Sequence, residues 1–461
     1  MIDFPNSPTL NEEFTSGNRT WKWNGEVWNI LSYGGDNLLS SSDYVRPTEW
    51  LTLPPADANE VRGLHAVFDA TENYCAVLAR TTDGSAYYVD WGDGTVNTVT
   101  SNTQASHNYN FANVALAGTT TLKGYKQALV RVYAGAGKTF LVMNFNQKVS
   151  TPASLPTYSS GWLDINFNLP NLATGNSFII GGSTIRHAYL ERVNIASWGA
   201  VTNLTNLFMN CLALQSLNET EWNMSAITNI TNLFYIAYSI KQLDCSYWNT
   251  SLVTSFVNTF RAAYSLQKIK FPSSFVTSAA TSLGTMFMDA KALSDCDVSN
   301  FNTSNVTDCN YMFAGCTALR TINVASWNMA KVTTISNMFG GCNSLEAIDI
   351  SAWSLPLCTN ATGLFNNCFG LQKLETCNFS AVTVSMGDFA NACNQLKNVT
   401  LTGINQTCSF ANCQMSSAAL DTIYTNLSAT GTGKTITVTG NYGTTGDNTA
   451  IAIAKGWTVT G

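Results

Sequence analysis

One phenylalanine returns along the middle of this chain at a nearly constant distance. Phe208, Phe234, Phe260, Phe287, Phe313, Phe339 and Phe365 are separated by steps of 26 or 27 residues, and Phe389 and Phe410 follow at 24 and 21. Six residues after most of them stands an aliphatic side chain: Leu214, Ile240, Leu266, Leu293, Leu319, Leu345, Leu371. Three further on comes another, as in Leu217, Leu243, Ile269, Ile322, Ile348 and Leu374. An aromatic closes each unit at Trp222, Trp248, Phe275, Phe301, Trp327, Trp353 and Phe379, and a fainter unit runs through Leu190, Val193 and Trp198. A fixed period of this length marks stacked coils, none of which can bury its apolar face alone. The chain is expected to build a solenoid.

Within one unit the periodicity changes. Val332, Ile335, Met338 and Phe339 sit at helical steps, which predicts a short helix or 3₁₀ turn. Ile322 and Val324 alternate with polar residues, which predicts one short strand per unit. Stacking would align these strands in a parallel sheet, about 4.8 Å apart. Thr321, Asn323, Ala347 and Asp349 then point away from the core and form an uncharged face of hydroxyl and amide groups, the candidate receptor face for a neutral glycan or a protein loop. The closing aromatics fit a hydrophobic ladder better than a sugar-binding stripe.

Three residues after each phenylalanine stand Cys211, Ala237, Ala263, Ala290, Cys316, Cys342, Cys368, Ala392 and Cys413. Cysteine alternates with alanine, so the position asks for a small buried side chain. A metal site would repeat sulfur or imidazole at several fixed places, and disulfides would need pairs. The total of 13 cysteines is odd. Free, buried, reduced thiols are expected.

Lines such as FNTSNVTDCNYMFAGCTALRTINVASWN resemble the BspA-like leucine-rich-repeat family over about residues 184–413. That resemblance implies a surface protein that binds and does not catalyse. The units at Phe234, Phe260 and Phe287 drift from the family's pattern, with FPSSFVTS standing where W-N-T-S is usual.

Three other textures flank the repeat. Residues 60–150 carry strand-like runs, and VDWGDGTVNTV followed by SHNYNF resembles the core of PKD-type β-sandwich domains. Asp90 and Asp93 are weak calcium candidates, because calcium wants several oxygen ligands. A turn held by Asx hydrogen bonds is the simpler reading, with His107 packed beside Trp91. In TWKWNGEVWNI, Asn24-Gly25 signals a type I′ hairpin that pairs Trp21 with Trp28 and sets Trp23 on the same face. Three tryptophans on so short a module need a partner surface. This start resembles the amino-terminal segments of tailed-phage structural proteins, which implies a virion anchor formed by Trp21, Trp23 and Trp28. At the other end, SSAALDTIYTNLS places Leu420, Ile423, Tyr424 and Leu427 on one helix face behind a serine cap, followed by strand, helix and strand. A solenoid needs such a terminal cap. Residues GTGKT at 431–435 are no P-loop, because helix–loop–strand replaces the strand–loop–helix that loop requires.

The charged fraction is 11%, less than half the roughly 25% of an average soluble domain. A net charge of -6 with 23 basic residues and no basic run argues against nucleic acid. The start lacks the pattern of a secretory signal, and no stretch is long and apolar enough to span a membrane. His65, His107 and His187 lie far apart, and neither GxSxG nor HExxH occurs, so no enzyme and no cofactor are expected.

The expected fold is mixed. It comprises a small N-terminal β module (1–35), a linker (36–59), a PKD/Ig-like β-sandwich (60–150), an α/β leucine-rich-repeat solenoid with parallel sheet (151–415) and a capping unit (416–461). The expected function is that of a phage virion appendage, a tail fibre or receptor-binding protein assembled in the host cytoplasm. It would hold other virion proteins through residues 1–35 and reach a host surface glycan or protein through the repeats. A bacterial BspA-like adhesin and a purely structural decoration protein are the alternatives. Phage fibres imply a homotrimer and leucine-rich solenoids a monomer, and the sequence leaves both open.

Overall fold

The computed structural model describes residues 44–70, 73–147, 160–183, 185–218, 222–272, 275–375, 377–430 and 432–461, and the backbone of three strands between residues 13 and 32. The chain divides into two compact units, Met1–Val45 and Arg46–Gly461. In the first, strands β1 (Glu13–Ser16), β2 (Arg19–Trp23) and β3 (Trp28–Ser32) form an antiparallel sheet in chain order. The register differs from the one expected: Trp23 faces Trp28 and Trp21 faces Ile30, where a turn at Asn24-Gly25 would pair Trp21 with Trp28. β2 also pairs with β1, Trp21 opposite Phe14, and the pairing of the whole strand decides register over one turn dipeptide. The side chains of Trp21, Trp23 and Trp28 lie outside the described residues.

The second unit begins with strands β4 (Glu60–Val67), β5 (Tyr74–Thr81), β6 (Tyr87–Asp90), β7 (Val96–Val99), β8 (Thr103–Asn108), β9 (Lys126–Ala134) and β10 (Phe140–Asn144). They fall into two sheets, one containing β4-β9-β6-β7 and the other β10-β5-β8, all paired antiparallel. Alternate residues of both, such as Val61, Val130, Val89, Val77, Ala105 and Met143, meet in one core.

Neither sheet stops at residue 150. β11 (Trp162–Asn168) pairs antiparallel with β4, and β13 (Arg192–Ser197) and β14 (Ser216–Leu217) then add in parallel. On the other side β12 (Phe178–Ile179) adds parallel to β10. Two residues on, the Gly181 amide bonds the Leu207 carbonyl at 2.6 Å and opens the ladder that runs between coils. The two sheets thus continue as the two hydrogen-bonded flanks of the solenoid. Their last strands satisfy the polar backbone that its first coil would otherwise expose. A single buried apolar cluster runs from Val61 to Trp457. At the seam the chains approach so closely that a Cβ at Gly63 would collide with the Trp162 ring.

The repeat region is a mostly β solenoid of about 11 turns. One flank carries short parallel strands in successive coils, including Gln242–Asp244 beside Lys268–Lys270 and Thr321–Ile322 beside Ala347–Ile348. The other flank corrects the α/β expectation, because the segment through Val332, Ile335, Met338 and Phe339 is not helical. The amides of Ile335, Asn337, Phe339 and Gly341 each bond a carbonyl of the next coil, at Asn360, Thr362, Leu364 and Asn366. Those of Met338, Gly340 and Cys342 bond three residues back within their own coil. This alternation needs left-handed residues, met by Asn337 at φ +51° and Gly341 at φ +74°. Apolar side chains at steps of three and four therefore come from stacked turns, which share that spacing with a helix.

Phe313 stacks on Phe339 with ring centroids 5.6 Å apart and planes 2° from parallel, and the same stack runs from Phe208 to Phe365. It ends at Phe389, which meets Phe365 at 79°. The ladder bonds Phe365 N to Phe389 O and Ala390 N to Ser409 O, so Ala390 takes the phenylalanine slot in that coil. The small-residue slot three positions on is then Cys393 and not Ala392.

At the far end the helix Ser417–Asn426 starts behind Ser416, whose hydroxyl accepts the Ala419 amide, and it buries Leu420, Ile423 and Tyr424. Thr435–Thr437 and Thr458–Thr460 extend the sheet of Cys408–Ser409. Trp457 is buried across the last core with its indole N–H on the Ser428 carbonyl, 2.9 Å away.

Candidate functional site

Thr321, Asn323, Ala347 and Asp349 are all exposed on the strand flank. The flank is not uncharged as expected. Lys268–Asp295 (2.8 Å), Lys270–Asp244 (3.8 Å), Arg320–Glu346 (3.2 Å) and Lys373–Glu375 (3.1 Å) form ion pairs along it. Charge was legible only by reading the same strand position through every coil, since the coil of Thr321 and Asn323 is among the less charged. Asn323 and Asp349 also have structural work. The Asp349 carboxylate accepts from the Ser351 amide (2.9 Å) and hydroxyl (2.6 Å), which hold it below the usual carboxylate range. Asp244 and Asp297 accept from the Ser246 and Ser299 amides in the same turn. The acidic or amide residue at this position closes the turn after each strand. Thr321 makes no side-chain hydrogen bond among the described residues.

Asp90 and Asp93 sit in the Gly92 and Gly94 turn, both glycines at positive φ. An Asp90 oxygen accepts the Gly92 amide (3.0 Å), while Asp93 accepts the Thr95 amide (3.1 Å) and contacts His107 Nε2 (2.8 Å). Burial alone would raise the Asp93 carboxyl, but His107 and Thr95 outweigh it and lower it below its ordinary value. The Thr95 amide and His107 thus engage both Asp93 oxygens, and the Gly92 amide one of Asp90. Among the described residues no group of three His, Cys, Asp or Glu is arranged to hold a metal. His107 stacks on Trp91, centroids 5.2 Å apart and 15° from parallel. His65 is buried between Tyr109 and Trp162, and His187 bonds Ser160 Oγ (2.6 Å) and the Ile180 carbonyl (2.8 Å). His65 and His107 therefore share the Tyr109 ring, contrary to the expectation that the three histidines lie far apart, and His187 is packed apart from them.

The closing aromatics Trp222, Trp248, Phe275, Phe301, Trp327, Trp353 and Phe379 are all buried and belong to the core. All thirteen cysteines are free and buried.

The sequence reading missed one surface. In the drifting coils Tyr238 and Tyr264 stack face to face, 4.6 Å apart and 8° from parallel. Lys291 Nζ lies 4.8 Å over the Tyr264 ring, and the Arg261 guanidinium lies 5.2 Å over Tyr235. Arg186 is close enough for its charge to act on the Tyr238 hydroxyl. Tyr238, Tyr264 and Lys291 stand four residues after the phenylalanine of successive coils, and Tyr235 and Arg261 one residue after it. The repeated Y-S after A in YIAYS and RAAYS was the available signal.

Residues 202–321 and 281–401 match the family described as "Mycoplasma protein of unknown function, DUF285". A search of curated proteins finds no relative of the chain. Among solved structures, similarity is found to a leucine-rich-repeat protein of Leptospira interrogans at 11% identity, covering 59% of this chain and 74% of that one with a TM-score of 0.21. It is also found to a chain of the mouse RP105/MD-1 complex at 14% identity, covering 63% and 56% with a TM-score of 0.21. The repeat region is a solenoid, similar over residues 202–401 to that family.

Proposed function

We propose that the chain is a non-catalytic phage virion appendage, a tail fibre or receptor-binding protein. Residues 1–35 dock it on other virion proteins through Trp21, Trp23 and Trp28, and the repeats attach it to the host surface. Residues 60–150 are read as a PKD-like sandwich that caps the first coil. The observation that carries the reading is the exposed strand flank, which offers a side chain such as Thr321 or Ala347 at the same place in coil after coil. A flank of this kind suits many weak contacts multiplied along the rod and across copies. Two further features support it. The backbone ladder that bonds coil to coil from Gly181 to Phe410 on the turn flank makes a stiff arm, and the low charge suits a surface that must not stick indiscriminately. The test is antibody labelling of purified virions. Labelling of a tail or capsid projection is expected, lost when Trp21, Trp23 and Trp28 are together changed to Ser. Labelling confined to bacterial envelopes would refute it.

A further inference from the structure

We propose that residues 46–58, the second half of the expected linker, form a releasable strap. The strap is seated on the outer face of the sheet that contains β11, β4 and β9, and it lifts off as one piece while both sheets and the coils stay folded. This goes beyond the attachment reading and holds whether or not residues 1–35 dock on anything.

The first argument is what holds the strap. Residues 46–58 contain no strand, and among the described residues their one bond between main-chain atoms is internal, from the Trp50 amide to the Pro47 carbonyl. Pro47, Pro54 and Pro55 have no amide to offer a sheet. Side chains do the holding instead. Gln127 accepts from the Leu51 amide and donates to the Glu49 carbonyl, both at 2.9 Å. Asn166 and Asn168 donate to the Pro54 and Ala56 carbonyls at 2.9 and 3.3 Å, and Arg46 meets Asp164 at 2.7 Å. Lifting the strap breaks no rung of either sheet.

The second argument is where its anchor sits. Trp50 is 4% exposed and packs with Leu64, Ala66, Tyr125 and Leu163, a cluster separate from the core that runs through the sheets and coils. Its indole N–H donates to the Tyr125 hydroxyl at 2.8 Å. A satellite cluster that shares no side chain with the main core opens without dismantling it.

The third argument is what stays behind. Ile165 and Phe167 belong to the core, so Asp164, Asn166 and Asn168 between and beside them point to the outer face. Polar side chains suit a sheet face that meets water. Asp164 is fully buried, and when Arg46 leaves it keeps Arg192 at 3.1 Å. Gln127 keeps its bond to the Thr119 carbonyl at 3.0 Å. Release therefore strands no buried charge. It lets out residues 46–58, about 45 Å of extended chain ahead of β4.

The test uses the full chain and reads labelling of the folded protein by a disulfide reagent, all thirteen native thiols being buried. Ala66→Cys and Leu163→Cys each place a thiol in the cluster under Trp50, and Ala128→Cys places one in the main core. Without denaturant the first two are expected to react at least a hundredfold faster than the third. Adding Trp50→Ala should speed both at least tenfold further, with the rate at Ala128→Cys and the melting temperature unchanged. A common rate for all three thiols would show that the strap leaves only on global unfolding, and overturns the proposal. So does a Trp50→Ala protein whose sheets melt earlier. Straps exchanged between copies would show as a labelling rate that falls with protein concentration, and overturn the release of a free strap.

Discussion

The thiol of Cys342 donates a hydrogen bond to the carbonyl oxygen of Phe313, one coil back, at 3.1 Å. Cys316 to Phe287 (3.2 Å), Cys368 to Phe339 (3.1 Å) and Cys393 to Phe365 (3.0 Å) repeat the bond. The thiol gives this carbonyl a second donor beside the amide of its own coil, while alanine at 237, 263 and 290 shows that the slot tolerates its loss. Cys342→Ala should therefore cost no more than about 1 kcal/mol, a thiol being a weak donor. Cys342→Val should cost about 1–3 kcal/mol through overpacking. Urea unfolding of both variants checks this. An alanine variant less stable than the valine variant would contradict the packing account.

Burial raises the thiols, Cys342 and Cys408 to about 12 and Cys358 to about 11. A thiol is nucleophilic only as thiolate, so the folded protein should react negligibly with a disulfide reagent at pH 8. Unfolding without reductant should release close to 13 thiols. A count of one or three would reveal disulfides and remove the argument for assembly in a reducing cytoplasm.

Thr285 stands at φ +57° where the two preceding coils have Asn258 and Asn232, whose side chains bond each other at 2.9 Å. A β-branched residue in this conformation carries about 1–2 kcal/mol of strain that asparagine largely avoids. Thr285→Asn should raise stability by about 1 kcal/mol and extend the amide ladder by a rung. A lower melting temperature would show that the coil is not strained there.

Burial lowers His65 to about 3 and His187 to about 4, from an ordinary 6.5. Both imidazoles are neutral in the fold, whereas the unfolded chain takes up a proton on each below pH 6.5. Stability should then fall as pH drops from 6.5 toward 4, by about 1.4 kcal/mol per pH unit for each imidazole. Denaturant titrations across that range should show His65→Leu reducing the slope by one proton. An unchanged slope would mean that His65 is already protonated in the fold.

The stack of Phe208 to Phe365 was legible because an identical side chain marks each coil. The backbone between was not, since turns with Asn337 in the left-handed region place Val332, Ile335 and Met338 at the spacing a helix would use. The step of 24 to Phe389 misled for a related reason: side-chain identity moved by one position while the hydrogen-bond register kept Ala390 in the slot. The junction of Trp162 on Gly63 joins segments about a hundred residues apart, and no local pattern announces it. The ion pairs of the strand flank were written in Lys268, Asp295, Arg320 and Glu346, and showed only when the coils were aligned. Tyr238 and Tyr264 were equally visible at a spacing of 26 residues, but their stacking with Lys291 needed the geometry.

Attachment through the strand flank is tested most directly by competition for host cells between phage and the soluble full-length protein. Thr321 and Ala347 face each other across neighbouring coils, are exposed, and hold no side-chain bond of the coil among the described residues. Changing both to Arg should leave the melting temperature within the effect of a surface substitution, roughly 0.5 kcal/mol. The unchanged protein is expected to block phage adsorption, and the folded double variant to lose at least tenfold in that blocking. Equal blocking by both would contradict the assignment of the strand flank as the receptor face.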